Sequence, residues 1–101
     1  MPEFVRVAGT EDVKPGSGMV AEVNGKTIAL FNLEGKYHAI DNTCVHRGGP
    51  LGEGDVEGEV VTCPWHGWQY NVTTGACVNN PSAQVTSYQV QIDGSDIKVL
   101  L

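Results

Sequence analysis

Two short residue groups, Cys44-Val45-His46 and Cys63-Pro64-Trp65-His66, constrain this chain more than any other feature. Sixteen residues, positions 47 to 62, separate them. Each offers one thiolate and one imidazole, so any fold that uses them must bring both together. Four such donors can hold a tetrahedral Zn²⁺ or the two irons of a mixed-ligand [2Fe–2S] cluster. Arg47-Gly48-Gly49-Pro50-Leu51-Gly52 follows the first group and Gly67 the second. Glycines there let the backbone approach a bulky inorganic core and aim N–H groups at its sulfides. Both groups therefore read as tips of loops, the first fed by a strand over 37–40 and the second by one over 60–62.

The rest of the chain reads as short strands. Turn signals recur about every ten residues, which favours an all-β sandwich or barrel. Asn24-Gly25, between apolar runs at 19–23 and 27–31, is the strongest hairpin signal, because both residues tolerate positive φ. Glu34-Gly35, Thr74-Gly75 and Asp93-Gly94 mark further turns. Residues 85–92 alternate, which predicts one strand with Thr86, Tyr88, Val90 and Ile92 on the core side. Residues 10–14 are the one stretch suited to a helical turn, with Thr10 as its N-cap and Pro15 ending it. No repeat or linker is visible, so the expectation is one domain over 1–101, with loops at about 42–52 and 62–70.

Charge narrows the partners. Twelve acids against six bases give a net charge of −6. That disfavours nucleic acid or an anionic membrane and suits a basic protein surface. Glu53, Asp55, Glu57 and Glu59 stand at alternate positions, as on a solvated strand face or an acidic docking patch. The N-terminal residues lack the apolar stretch of a signal peptide, and no apolar run is long enough to span a bilayer. The three cysteines argue against a disulfide framework. The expected setting is cytoplasmic. Cys77 is expected to be a packed thiol, His38 an ordinary strand residue and Trp65 a surface side chain beside the ligands.

The two motifs, extended as Cys44-Val45-His46-Arg47-Gly48-Gly49-Pro50-Leu51 and Cys63-Pro64-Trp65-His66-Gly67-Trp68-Gln69-Tyr70, resemble those of Rieske-type [2Fe–2S] proteins. The lead-in Tyr37-His38-Ala39-Ile40-Asp41-Asn42 and the follow-on Asn71-Val72-Thr73-Thr74-Gly75 are also similar to that family. The resemblance implies stacked antiparallel sheets with a small cluster-binding subdomain formed by the two loops. It implies one [2Fe–2S] cluster, with Cys44 and Cys63 on the inner iron and His46 and His66 on the outer iron. The long matching context weighs against zinc. The respiratory branch adds a cysteine to each loop; Gly49 and Trp65 stand at those positions and cannot form its disulfide. Trp68 replaces that branch's serine, while Tyr70 matches its tyrosine. The chain thus resembles the soluble, oxygenase-associated branch.

Two ferric ions, two sulfides and two thiolates sum to zero charge when both imidazoles are neutral, so the potential lies above that of an all-cysteine cluster. Without the disulfide and the serine, it is expected at the low end of the Rieske range. The implied function is one-electron carriage from a flavoprotein reductase to a terminal aromatic-ring oxygenase. The alternative is the small subunit of an NAD(P)H-dependent nitrite reductase. A cluster-free interaction module is disfavoured by the intact ligand set.

Overall fold

A computed structural model describes residues 3–43, 50–65, 67–80 and 82–100. Among these are ten strands: β1 (Phe4–Gly9), β2 (Ser17–Val23), β3 (Lys26–Leu33), β4 (Lys36–Asp41), β5 (Asp55–Glu57), β6 (Val60–Thr62), β7 (Gln69–Asn71), β8 (Ser87–Tyr88), β9 (Val90–Asp93) and β10 (Asp96–Leu100). They form three antiparallel sheets, ordered β1-β10-β9, β2-β3-β4-β8 and β5-β6-β7. The fold is all-β, as expected.

The β2–β3 hairpin forms where its turn signal stands. Val23 pairs with Lys26, and Asn24 and Gly25 carry φ of 50° and 79°. These are the positive values that a two-residue primed turn demands. The β3–β4 turn has the same form with Glu34 at φ 54° and Gly35 at 93°. A glutamate in the left-handed region is uncommon. Here Asn32 compensates from the preceding strand, its Oδ1 accepting the Gly35 N–H at 2.7 Å and its Nδ2 donating to the Val13 carbonyl at 2.8 Å.

Strand β3 makes the layers. Ile28 and Leu30 point to one face and pack with Ala8, Val13, Ala39, Ile97 and Val99. Ala29 and Phe31 point to the other and pack with Ile40, Leu51, Val61, Cys63, Tyr70, Val72, Cys77 and Val85. The β1-β10-β9 sheet thus covers one face of the central sheet, and the β5-β6-β7 subdomain covers the other. The close approach of the subdomain requires a glycine. A Cβ on Gly52 would lie 2.7 Å from the Met19 carbonyl oxygen of β2. Gly52 therefore serves backbone-to-backbone contact between protein layers, rather than the approach to an inorganic core expected of it.

Two expectations fail. Residues 85–92 are not one strand. Ser87–Tyr88 join β4, whereas Val90–Asp93 join β10. Period-two alternation holds only while a strand stays in one sheet, and this segment changes sheets at Gln89. Val85 is consequently buried, Thr86 is exposed and Ile92 is 44% exposed. The helical turn is a single 3-10 turn, Thr10–Asp12, whose N-cap is Gly9 rather than Thr10. The Asp12 carboxylate accepts the Gly9 N–H at 2.9 Å, satisfying the donor exposed at that end.

Phe31 is fully buried between the central sheet and the subdomain. Phe31→Ala should lower unfolding free energy by about 3–5 kcal/mol, measured by urea denaturation. A loss below about 1 kcal/mol would show that this core does not hold the layers together.

Candidate metal centre

The two loops leave from different sheets. The second is the β6–β7 connection. Val60–Thr62 are held in register with Gln69–Asn71, so the hairpin places residues 63–65 and 67–68 at its tip. The Cys63 N–H donates to the Trp68 carbonyl at 2.6 Å and closes the loop. Gln69 Nε2 donates to Thr62 Oγ1 at 3.2 Å beneath it. Gly67 has φ of 75°, so the chain turns back through a conformation that glycine adopts without strain. Cys63 is 1% exposed, and its Sγ accepts the Trp65 N–H at 3.4 Å. Such a bond stabilises negative charge on sulfur, as a metal-bound thiolate needs.

The first loop leaves the end of β4. Its two ends meet through a bridge between Thr43 and Pro50. The Asn42 carbonyl accepts the Leu51 N–H at 2.7 Å, and its Oδ1 accepts the Gly52 N–H at 2.7 Å. Leu51 then enters the same core as Cys63, Val61 and Tyr70. The returning arm of loop one is therefore packed against the sheet that carries loop two. Cys44, His46, Arg47 and the glycines at 48 and 49 lie outside the described residues, as does His66. Of the four expected ligands, the described one is Cys63, and it occupies the strand end that the hairpin reading requires.

Just before loop one, Asp41 ties β4 to the segment entering β8. Its N–H donates to the Thr86 carbonyl at 2.9 Å. Its carboxylate accepts the Thr86 N–H at 3.2 Å and the Tyr88 hydroxyl at 2.5 Å. Lys26 Nζ stands 5.9 Å from the centre of the Tyr88 ring, within cation–π range. Burial, the bond to Asp41 and the Asp41 charge push the Tyr88 phenol up to about 12.

The other expectations for side chains near the site divide. Cys77 is buried in the core, Trp68 packs against that core and Trp65 is 51% exposed. His38 is half-buried on β4. Burial holds its imidazole below the usual pKa, against the pull of the Glu59 carboxylate and with a smaller push from Lys36. Glu53, Asp55, Glu57 and Glu59 are all exposed, but they do not share one strand face. β5 holds only Asp55 and Glu57, on either side of the inward Val56, and Gly58 turns the chain before Glu59. An open groove of about 290 Å³, lined by Glu57, Val60, Thr62, Gln69 and Val78, runs over the outer side of this subdomain. A second, of about 300 Å³, lies between the turns where β4 and β6 begin, at the strand ends away from both loops. The donor set and the buried, hydrogen-bonded Cys63 thiol fit an iron–sulfur centre.

The model of the Rieske [2Fe-2S] domain matches residues 3–89. This chain belongs to the Rieske family. Its cofactor is one [2Fe–2S] cluster. The chain is 32% identical over 99 residues to the ferredoxin component of the naphthalene 1,2-dioxygenase/salicylate 5-hydroxylase systems of Ralstonia sp., spanning 97% of this chain and 93% of that protein. Its structure is similar to the ferredoxin of carbazole 1,9a-dioxygenase from Nocardioides aromaticivorans IC177, with a TM-score of 0.88, 31% identity and 95% coverage of both chains. The Rieske fold is also shared by a putative NADH-dependent nitrite reductase small subunit from Mycobacterium tuberculosis. There the TM-score is 0.91 at 22% identity, covering 100% of this chain and 96% of that one.

Sequence reasoning assigned no role to Asn42 and Asp41. The available signal was an Asx residue at the end of a strand leading into a Gly/Pro loop, where its side chain can replace backbone turn bonds. The raised Tyr88 pKa means that the folded state holds the phenolic proton more tightly than the unfolded chain does. Its contribution to stability is therefore complete below about pH 10 and is lost as pH rises toward 12. Asp41→Asn should move the Tyr88 titration, read by phenolate absorbance, back toward the usual tyrosine value. An unchanged titration would contradict the Asp41 pairing.

Proposed function

We propose that this chain is a one-electron carrier, a Rieske ferredoxin taking electrons from a flavoprotein reductase and passing them to a terminal aromatic-ring oxygenase. The reading rests on the likeness to a dioxygenase-system ferredoxin component over nearly the full length of both proteins. It does no bond chemistry and is not itself the oxygenase. Cys44 and Cys63 are the proposed thiolate ligands of the inner iron, and His46 and His66 the imidazole ligands of the outer iron. The cluster, when bound, supplies reversible uptake of one electron. The chain's own part is to hold these donors in place, to support the Cys63 sulfur through the Trp65 N–H and to offer a surface for docking.

Residues 1–101 are proposed to be one domain, with cluster-binding loops at 42–52 and 62–70. In support, β10 pairs with both β1 and β9, so the C-terminal strands complete the sheet begun at the N-terminus. A cytoplasmic setting fits the buried Cys77 thiol, which takes part in no disulfide. Among the described residues no helix is long and apolar enough to cross a membrane.

The docking partner proposed is a basic protein surface. Glu53, Asp55, Glu57 and Glu59 are exposed around β5. Beside them the outer groove carries Val78, 55% exposed, as an apolar contact. Exposed charges of this kind act mainly on encounter rate and are screened by salt.

The test is reconstitution. Holoprotein should be reduced by an oxygenase-type flavoprotein reductase with NADH, support turnover by a matching oxygenase and leave aromatic substrates untouched alone. Tight co-purification with a large sirohaem subunit, and no support of any oxygenase, would favour the nitrite reductase reading instead. Converting the four acids to their amides should slow reduction roughly tenfold at low ionic strength, with the difference lost at high salt. A second measurement is the midpoint potential, expected negative of about 0 mV. A value above about +100 mV would overturn that expectation and point to Tyr70 as a donor to the centre.

A further inference from the structure

The described residues include two buried polar side chains, Asn32 and Asn42, 3% and 7% exposed. Both belong to the β3–β4 hairpin, at its opposite ends. Asn32 fixes the turn at residues 33–35. Asn42 follows β4 at the end where loop one departs. Its N–H donates to the Thr27 carbonyl at 3.2 Å, its carbonyl accepts the Leu51 N–H and its Oδ1 accepts the Gly52 N–H. One residue thus joins the central sheet to both the departing and the returning arm of loop one.

The returning arm has little freedom to adjust. Leu51 is fully buried in the core that contains Cys63. Gly52 is pressed against the Met19 carbonyl, leaving no room even for a Cβ. Asp41, on the other side of Asn42, is fixed to Thr86 and Tyr88. The returning arm thus sits over β2 and β3, and the Asn42 side chain joins it to the end of β4.

We infer that Asn42 is the positioning residue for the first ligand loop, fixing where Cys44 and His46 stand relative to Cys63 and His66. The inference rests on the proposed ligand set. An amide suits the place better than a carboxylate. It provides the acceptor for the Gly52 N–H without adding negative charge beside a site that becomes more negative on reduction. Alanine would leave that N–H buried without its partner, and the arm would shift to recover one.

The experiment compares Asn42→Ala, Asn42→Asp and Asn32→Ala as cluster-loaded proteins. Asn32→Ala removes a clasp of the same kind at the far end of the same hairpin and controls for lost stability. Two readouts are used: decay of visible absorbance in excess iron chelator, and the g-values of the reduced protein. Asn42→Ala should lose its cluster about tenfold faster than the wild type, in line with the loss of partners that orient metal ligands, and its g-values should shift. Asn42→Asp, which keeps the acceptor but adds a charge, should recover most of the lifetime lost in Asn42→Ala. Asn32→Ala should leave the g-values unchanged and lose its cluster only as fast as it unfolds.

The inference is overturned if Asn42→Ala loses its cluster no faster than Asn32→Ala, or if Asn42→Asp loses it as fast as Asn42→Ala. Should Asn42→Ala not fold, hydrogen exchange of the wild-type holoprotein decides. Slow exchange at Leu51 and Gly52 supports the clasp, and exchange as fast as at the exposed Gly94 turn removes it. A wild-type protein without iron and acid-labile sulfide would instead overturn the ligand set, which separates the two failures.

Discussion

Strand β3 carries apolar side chains on both faces, and both must be covered. Ile28, Ala29, Leu30 and Phe31 are all fully buried in succession, two to each side. A strand in an open two-sided sheet normally alternates apolar with polar; this one does not, so the sheet cannot leave either face to water. One side is closed by β10 and β1, whose Ile97, Val99 and Ala8 meet Ile28 and Leu30. The other is closed by the small β5-β6-β7 sheet, which has too few residues to hold a core by itself. The subdomain that carries loop two is thus held by the demand of Ala29 and Phe31 for cover.

That dependence couples the fold to the site. Cys63 belongs to the core that closes this face, together with Leu51 from the arm of loop one. The thiol and the loop anchor are packed in a single unit, so neither loop can be placed independently of the layers beneath it. The chain devotes backbone-to-backbone contact to the junction, with Gly52 against β2, where an ordinary side chain would hold the layers apart. The same packing explains why an Asn, an Asp and a Tyr gather at the end of β4. Loop one leaves the end of β4 there, and the N–H groups of its returning arm, at Leu51 and Gly52, need acceptors outside a regular ladder, which Asn42 supplies.

Much of this was legible in the residues, and the parts that were not share a cause. Asn24-Gly25 specified its hairpin because a primed turn depends on φ values that few residues adopt. The Rieske motifs specified the family because thiolate and imidazole at those spacings admit few alternatives. Residues 85–92 misled, since alternation records which side of a strand is buried but not which sheet the strand belongs to; the change at Gln89 leaves no mark in the pattern. The strand-face reading of the acids at 53–59 failed in the same way, because Gly58 reverses the chain between Glu57 and Glu59. Asn42 went unread for a different reason. Its partners, Leu51 and Gly52, are nine and ten positions away and meet it only once the loop between them has closed.

The arrangement suits an electron carrier for a physical reason beyond ligand identity. A group that gains and loses an electron works best when its surroundings change little between the two states, because any rearrangement adds to the barrier. Ligands on long, unsupported loops would follow each change of charge. Here the described ends of both loops are fixed close to the proposed ligands, within two residues of Cys44, Cys63 and His66 and four residues past His46. Thr43–Pro50 and Asn42–Gly52 fix the first, and Cys63–Trp68 fixes the second. The supports include residues adjoining the ends of β4, β6 and β7, and positions tied to strands hold side chains more precisely than free loops do. The Trp65 N–H is already directed at the Cys63 sulfur, so its dipole is in place before charge arrives, which is the sense in which a preorganised site lowers a barrier. What remains free to vary is outside the cage, on the acidic face around β5 and at the exposed Val78. That division leaves the scaffold to set how readily the electron moves and, on the proposed docking reading, the exposed surface to choose the partner.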